Sequence, residues 1–170
     1  MEISAGTTLS ATPAGVDLVL VRGVARPIQD VWRGVTEPDR TAAWFGTWRG
    51  DARPGEAIEV QMAFEEGAPW TRVIIERCDA PHLLAVETEP EVGGWKLELQ
   101  LTEIDAGTEV RFIHHLASSD GIGEIGPGWE YYLDLLAASF TGVPRRTFDD
   151  YYPALQGDYE ALARSTPDAS

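Results

Sequence analysis

The chain has 170 residues, and its 13 basic and 28 acidic residues give a formal charge of −15. A charge of that sign repels phosphate backbones and anionic headgroups, which excludes nucleic acid as a partner and adhesion to an acidic membrane. The length and the 44% of hydrophobic residues suit one domain with its own core, and Cys78, the single cysteine, allows neither an internal disulfide nor a cysteine-based metal cluster.

Met1 to Gly15 has no basic region followed by an apolar one, so it does not resemble a secretory signal. It reads as a flexible leader, residues 1–15, and a cytoplasmic location is expected. Val16 to Ala25 (VDLVLVRGVA) is a β-branched run between Gly15 and Pro27, the pattern of a first strand. Ile28, Val31, Trp32 and Val35 then recur at helical spacing behind Pro27, and Pro38 opens a second brief helix that ends near Trp44 and Phe45. In EAIEVQMAF, Ile58, Val60, Met62 and Phe64 share one parity and the polar residues the other, as in a strand with one wet face.

WTRVIIERC and LLAVETE read as two further strands around Asp79-Ala80-Pro81. Trp95, Leu97, Leu99 and Leu101 alternate with Lys96, Glu98 and Gln100, and after a turn at Asp105-Ala106-Gly107 the residues Val110, Phe112, His114 and Leu116 form one face of a last strand. Trp129, Tyr132, Leu133, Leu136 and Phe140 make one helical stripe, which Gly142 ends and Pro144 keeps from resuming. Residues 143–170 form an extension with room for one short amphipathic helix, interrupted by Pro153 and Gly157. No apolar run approaches the ~20 residues of a membrane-spanning helix, so no membrane insertion is expected.

This order predicts an α+β fold: a curved antiparallel sheet of about six or seven strands, two short helices, and a long C-terminal helix over the apolar face. One helix cannot fill the concavity of a wide sheet, and the gap left between them is a place for a small ligand.

The stretches VWRGVTEPDRTAAWF, RPGEAIEV, GTEVRFIHH and GWEYYLDLLAASFTG resemble, in that order, the segments that mark the SRPBCC superfamily. Within it they are most similar to the activator of heat-shock protein 90 ATPase homologue group, over residues 16–142. The resemblance implies a START-like, helix-grip domain with a cavity under its C-terminal helix. It also implies a guest such as a lipid, a steroid or a polyketide, because members bind apolar molecules and some close rings or hydrolyse substrates.

Trp44, Trp95 and Trp129, on three separate elements, are expected to converge on that cavity with Met62, Phe64, Phe112, Tyr132 and Phe140. Leu97, Leu99, Leu133 and Leu136 complete the expected apolar lining, with His114 inward by parity as a ligand contact or acid/base. His114 and His115 point to opposite faces and cannot share a metal, so no metal site is expected. Gly121, Gly123 and Gly126 fit GxGxxG, but no parallel strand follows, so a nucleotide site is discounted and the glycines are read as a mobile gate loop. The carboxylates look solvated, no GxSxG elbow occurs, and no cofactor is called for.

The leading expectation is therefore binding of a small, largely apolar molecule: lipid-, aromatic- or polyketide-like. Natural-product sequestration and self-resistance of the enediyne type is one alternative, and twelve arginines against one lysine suit the GC-rich genome it implies. A cyclase or hydrolase using His114 is another. A co-chaperone-like module meeting a protein partner through its negative charge is a third.

Overall fold

The structure is a computed structural model, and it describes residues 1–167. The elements are β1 (Thr8–Thr12), β2 (Gly15–Val24), α1 (Ile28–Thr36), α2 (Pro38–Thr41), β3 (Trp48–Gly50) and β4 (Ala57–Gln61). They continue with β5 (Trp70–Asp79), β6 (Leu83–Thr88), β7 (Lys96–Ile104), β8 (Gly107–Leu116), α3 (Ile122–Thr141) and α4 (Gln156–Ser165). The strands form one curved antiparallel sheet in the order β1-β2-β8-β7-β6-β5-β4-β3, with α3 across its concave face. This is the expected α+β, helix-grip architecture, with eight strands where about six or seven were expected.

The core follows from strand alternation. Leu18 pairs with His114, Leu20 with Phe112 and Leu99 with Phe112 across β2, β8 and β7, so their side chains share the concave face. Leu133 and Leu136 of α3 close over them and are essentially unexposed. Phe140, a turn further on, seats α1: a Cβ on Gly34 would lie 2.4 Å from Phe140 Cζ, so glycine there lets the ring touch the α1 backbone.

Where residues 1–15 read as a flexible leader, the chain forms β1, and Leu9, paired with Leu18, is buried. The edge of β2 presents unpaired N–H and C=O groups, and the polar TLSAT segment satisfies them without a strong side-chain pattern of its own.

The expected gate loop is also corrected, because Gly123 and Gly126 lie inside α3 and Gly121 is its left-handed cap at φ +76°. A Cβ on Gly126 would sit 2.3 Å from Tyr159 Cδ1, so the glycine lets α4 pack against the α3 backbone. A buried polar network fastens the two termini there. Arg22 Nη2 donates to Glu130 Oε2 at 2.6 Å, Arg22 Nε to Asp134 Oδ1 at 3.1 Å, and Arg22 Nη1 to Ser4 Oγ at 2.8 Å. Tyr159 OH donates to Glu130 Oε1 at 2.6 Å and Tyr151 OH to Asp134 Oδ2 at 2.7 Å.

Candidate binding site: a partly open apolar cavity

A partly open cavity of about 250 Å³ lies between α1–α2 and the β4–β7 half of the sheet, bounded at one side by Trp129 of α3. Its floor consists of inward positions on successive strands: Ile58 and Val60, Val73 and Ile75, Leu84 and Val86, then Leu97, Leu99 and Phe112. Its roof is aromatic, with Trp32 from α1 and Trp44, Phe45 and Trp48 from the segment after α2. Cys78 reaches the floor because β5 is bulged between Ile75 and Arg77; in a regular strand of the same sequence, alternation would turn the charged Arg77 inward instead.

Most polar groups of this lining are already engaged by the protein. Trp44 Nε1 donates to the Gly34 carbonyl at 3.0 Å, Trp48 Nε1 to the Thr36 carbonyl at 2.8 Å, and Trp129 Nε1 to His114 Nδ1 at 3.0 Å. Thr36 and Thr41 bond back to Trp32 and Pro38 carbonyls, and Thr88 Oγ1 accepts from the Trp95 N–H. Trp32, half-buried, is the lining indole whose N–H meets no acceptor among the described residues. Glu98 falls between inward Leu97 and Leu99, so its carboxylate turns to the outer face, where it accepts from Gln100 Nε2 at 2.6 Å. No charged side chain among the lining residues therefore faces the cavity.

Of the residues singled out in the sequence, Trp44, Leu97, Leu99, Phe112 and Trp129 line the cavity. His114 does not. It is 1% exposed, in edge-to-face contact with Trp129, and burial, with a smaller effect of His115, lowers its pKa to about 4. Because Nδ1 accepts the Trp129 N–H, the neutral ring carries its proton on Nε2. Leu133, Leu136 and Phe140 fill the core between α3, β2 and α1, since only one end of the helix reaches the open half of the sheet.

Met62 and Phe64 also depart from expectation, because β4 ends at Gln61 and the parity is lost beyond it. Phe64 instead meets Tyr131 and Tyr132 edge-on, and Tyr132 OH donates to Glu65, whose proximity adds to burial in raising the phenol pKa. Trp95 precedes β7, is 39% exposed, and packs on His114 and Trp129 at ring distances of 5.1 and 5.8 Å. Phe45, Trp48 and Cys78 were not foreseen as lining. Ile58 and Val60 carried the signal, as inward residues of a strand that was read correctly over its first half.

Among the described residues no cluster of three or more His, Cys, Asp or Glu side chains is placed to hold a metal, and no helix is long and apolar enough to cross a membrane. His115 lies on the outer face, hydrogen-bonded to Asp17 at 2.7 Å.

A curved antiparallel sheet gripping one long helix, with an apolar cavity beside it, defines a helix-grip domain. The chain belongs to the family described as Activator of Hsp90 ATPase homolog 1-like protein, whose profile matches residues 25–141. It is similar to the crystal structure of CalU16 from Micromonospora echinospora: 26% identity over 96% of this chain and 99% of that one, with a TM-score of 0.77. A protein encoded by gene BPP1335 of Bordetella parapertussis shares the fold at 20% identity and a TM-score of 0.69, over 94% of each chain. DynU16, described as a protein in the dynemicin biosynthetic locus, shares it at 21% identity and a TM-score of 0.65, over 81% of this chain and 50% of that one. A search of curated proteins returned no match.

Proposed function

We propose that the protein binds a small, largely apolar molecule in the cavity between α1–α2, Trp129 and the β4–β7 face of the sheet. The observation that carries this reading is a cavity of about 250 Å³ whose lining is aromatic and aliphatic and whose indole N–H groups, Trp32 apart, are held by the protein itself. Such a site rewards apolar area, at about 2.5 kcal/mol for each 100 Å² removed from water. The enzymatic alternative has less support, because the acid/base it required, His114, stands outside the cavity with one ring nitrogen committed to Trp129.

One second reading has an observation in its favour. Similarity to CalU16 along almost the whole chain, together with a shared fold with a protein of the dynemicin locus, supports sequestration of a natural product. The site is the same in both readings, and they differ only in where the guest comes from. The experiment is native mass spectrometry of the purified protein against its denatured mass, with extraction of any excess mass into organic solvent. A retained apolar compound supports binding and its structure decides between the two readings. A compound that remains after denaturation, or a strongly polar one, counts against both.

A further inference from the structure

We propose that the cavity selects an uncharged aromatic guest of two fused or linked rings and rejects the same rings when they carry an anionic group. This rests on the reading of the cavity as a binding site and narrows it to a chemical class.

Size is the first argument. An apolar cavity of about 150 Å³ takes one benzene, and drug-sized ligands occupy pockets of about 300 Å³ upward. A space of about 250 Å³ lies between these and encloses about two rings, any further part of a larger guest lying at its open side.

Shape is the second. Phe45 and Trp129 lie nearly parallel, 11° apart at 6.4 Å, and Phe112 meets Trp129 at 4.4 Å, so the roof and one wall are built of rings packed on one another. The floor opposite is aliphatic, with Val73, Ile75 and Val86 on neighbouring strands. A flat guest between aromatic faces and branched aliphatic side chains buries both of its own faces, which a flexible acyl chain does less completely.

Charge is the third. None of the 13 Lys and Arg residues lines the cavity. The arginines flanking the loop that carries Ala52 are already paired, Arg49 with Glu59 and Arg53 with Asp51. Cys78 offers no anion or cation either, because burial raises its thiol pKa. An anionic group brought inside would lose its water and find no counter-charge, within a protein whose net charge is −15.

The test uses two probes with one skeleton, N-phenyl-1-naphthylamine and its sulfonate, 1-anilinonaphthalene-8-sulfonate, with the uncharged 1-dodecanol as a chain-like competitor. The neutral probe is expected to bind at least about tenfold more tightly than the sulfonate, a difference of about 1.4 kcal/mol. Dodecanol is expected to displace it poorly. Val86→Phe, which fills the cavity from a half-buried position, is expected to weaken the neutral probe about fivefold or more while leaving the circular dichroism spectrum unchanged. If that variant does not fold, the wild-type thiol reports instead: bound neutral probe should slow alkylation of Cys78 by iodoacetamide. Equal or tighter binding of the sulfonate overturns the charge selection. Tight dodecanol binding with a weak neutral probe overturns the two-ring class and leaves apolar binding standing. No binding by any of the three overturns both.

Discussion

Acid should destabilise this protein through His114 in a window that can be calculated. The side chain is 1% exposed and neutral, with a folded pKa of about 4 against 6.5 for the free side chain, burial being the main cause. Between those values the unfolded chain takes up a proton that the folded chain refuses. Stability therefore declines as pH falls through the window and levels off, for this group, below the folded pKa. At about 1.4 kcal/mol per pH unit the loss is about 3 kcal/mol, a large fraction of the stability of a domain this size. The measurement is urea unfolding at intervals from about pH 7 to about pH 4, for the wild type and for His114→Gln. The amide oxygen of Gln can still accept the Trp129 N–H but cannot titrate. Carboxylate contributions are common to both proteins and cancel in the difference. The wild type should lose about 3 kcal/mol more than the variant across the window. Parallel losses would refute the account of His114 as a buried neutral ring, and so would an imidazole resonance titrating near its ordinary value.

Other substitutions test the remaining contacts. Glu130→Ala removes the partner of the mostly buried Arg22 and the acceptor of the fully buried Tyr159 hydroxyl, and should cost about 3–5 kcal/mol in urea unfolding; a loss below about 1 kcal/mol contradicts the network. Gly126→Ala and Gly128→Ala should have opposite signs. A Cβ at 126 meets the Tyr159 ring at 2.3 Å and destabilises by about 1–3 kcal/mol, whereas at 128 it meets nothing and the gain in helix propensity stabilises by about 0.5–1 kcal/mol. Shifts of the same sign at both positions would dismiss the close packing of α4. Phe112→Leu should cost less than about 1.5 kcal/mol of stability, and it takes a ring face from beside Trp129, worth about 0.5–1.5 kcal/mol in affinity for an aromatic guest. An unchanged affinity in titration calorimetry would place the guest elsewhere.

Much of the fold can be read from local pattern, and the departures come from contacts distant in sequence. Leu97, Leu99 and Leu101 alternate cleanly and are all buried, because β7 lies in the interior of the sheet with one face on the core. β1 escaped notice since TLSAT has a single buried residue, Leu9, and owes its strand to the open edge of β2. The glycines before Trp129 read as a loop because their helix is stabilised from outside, by Tyr159 packing some thirty residues further along the chain.

The cavity was half legible for a geometric reason. The stripe on α3 was seen, but the helix has 20 residues and spans about 30 Å, so its C-terminal half packs on β2 and α1 and only Trp129 reaches the cavity. Met62 and Phe64 kept the parity of β4 in sequence while the chain had already left the sheet. The position of Cys78 depends on a bulge, which shifts parity without leaving a mark in the hydrophobic pattern.

The most direct measurement is a crystal structure with 1-bromonaphthalene, a neutral two-ring compound whose bromine is located by its anomalous signal. A single strong peak among Trp44, Phe112, Trp129 and Leu99 is the result expected. A peak confined to the groove near Arg145 and Tyr151 at the end of α3, or to the exposed face of Trp95, would contradict the assignment of the cavity as the binding site.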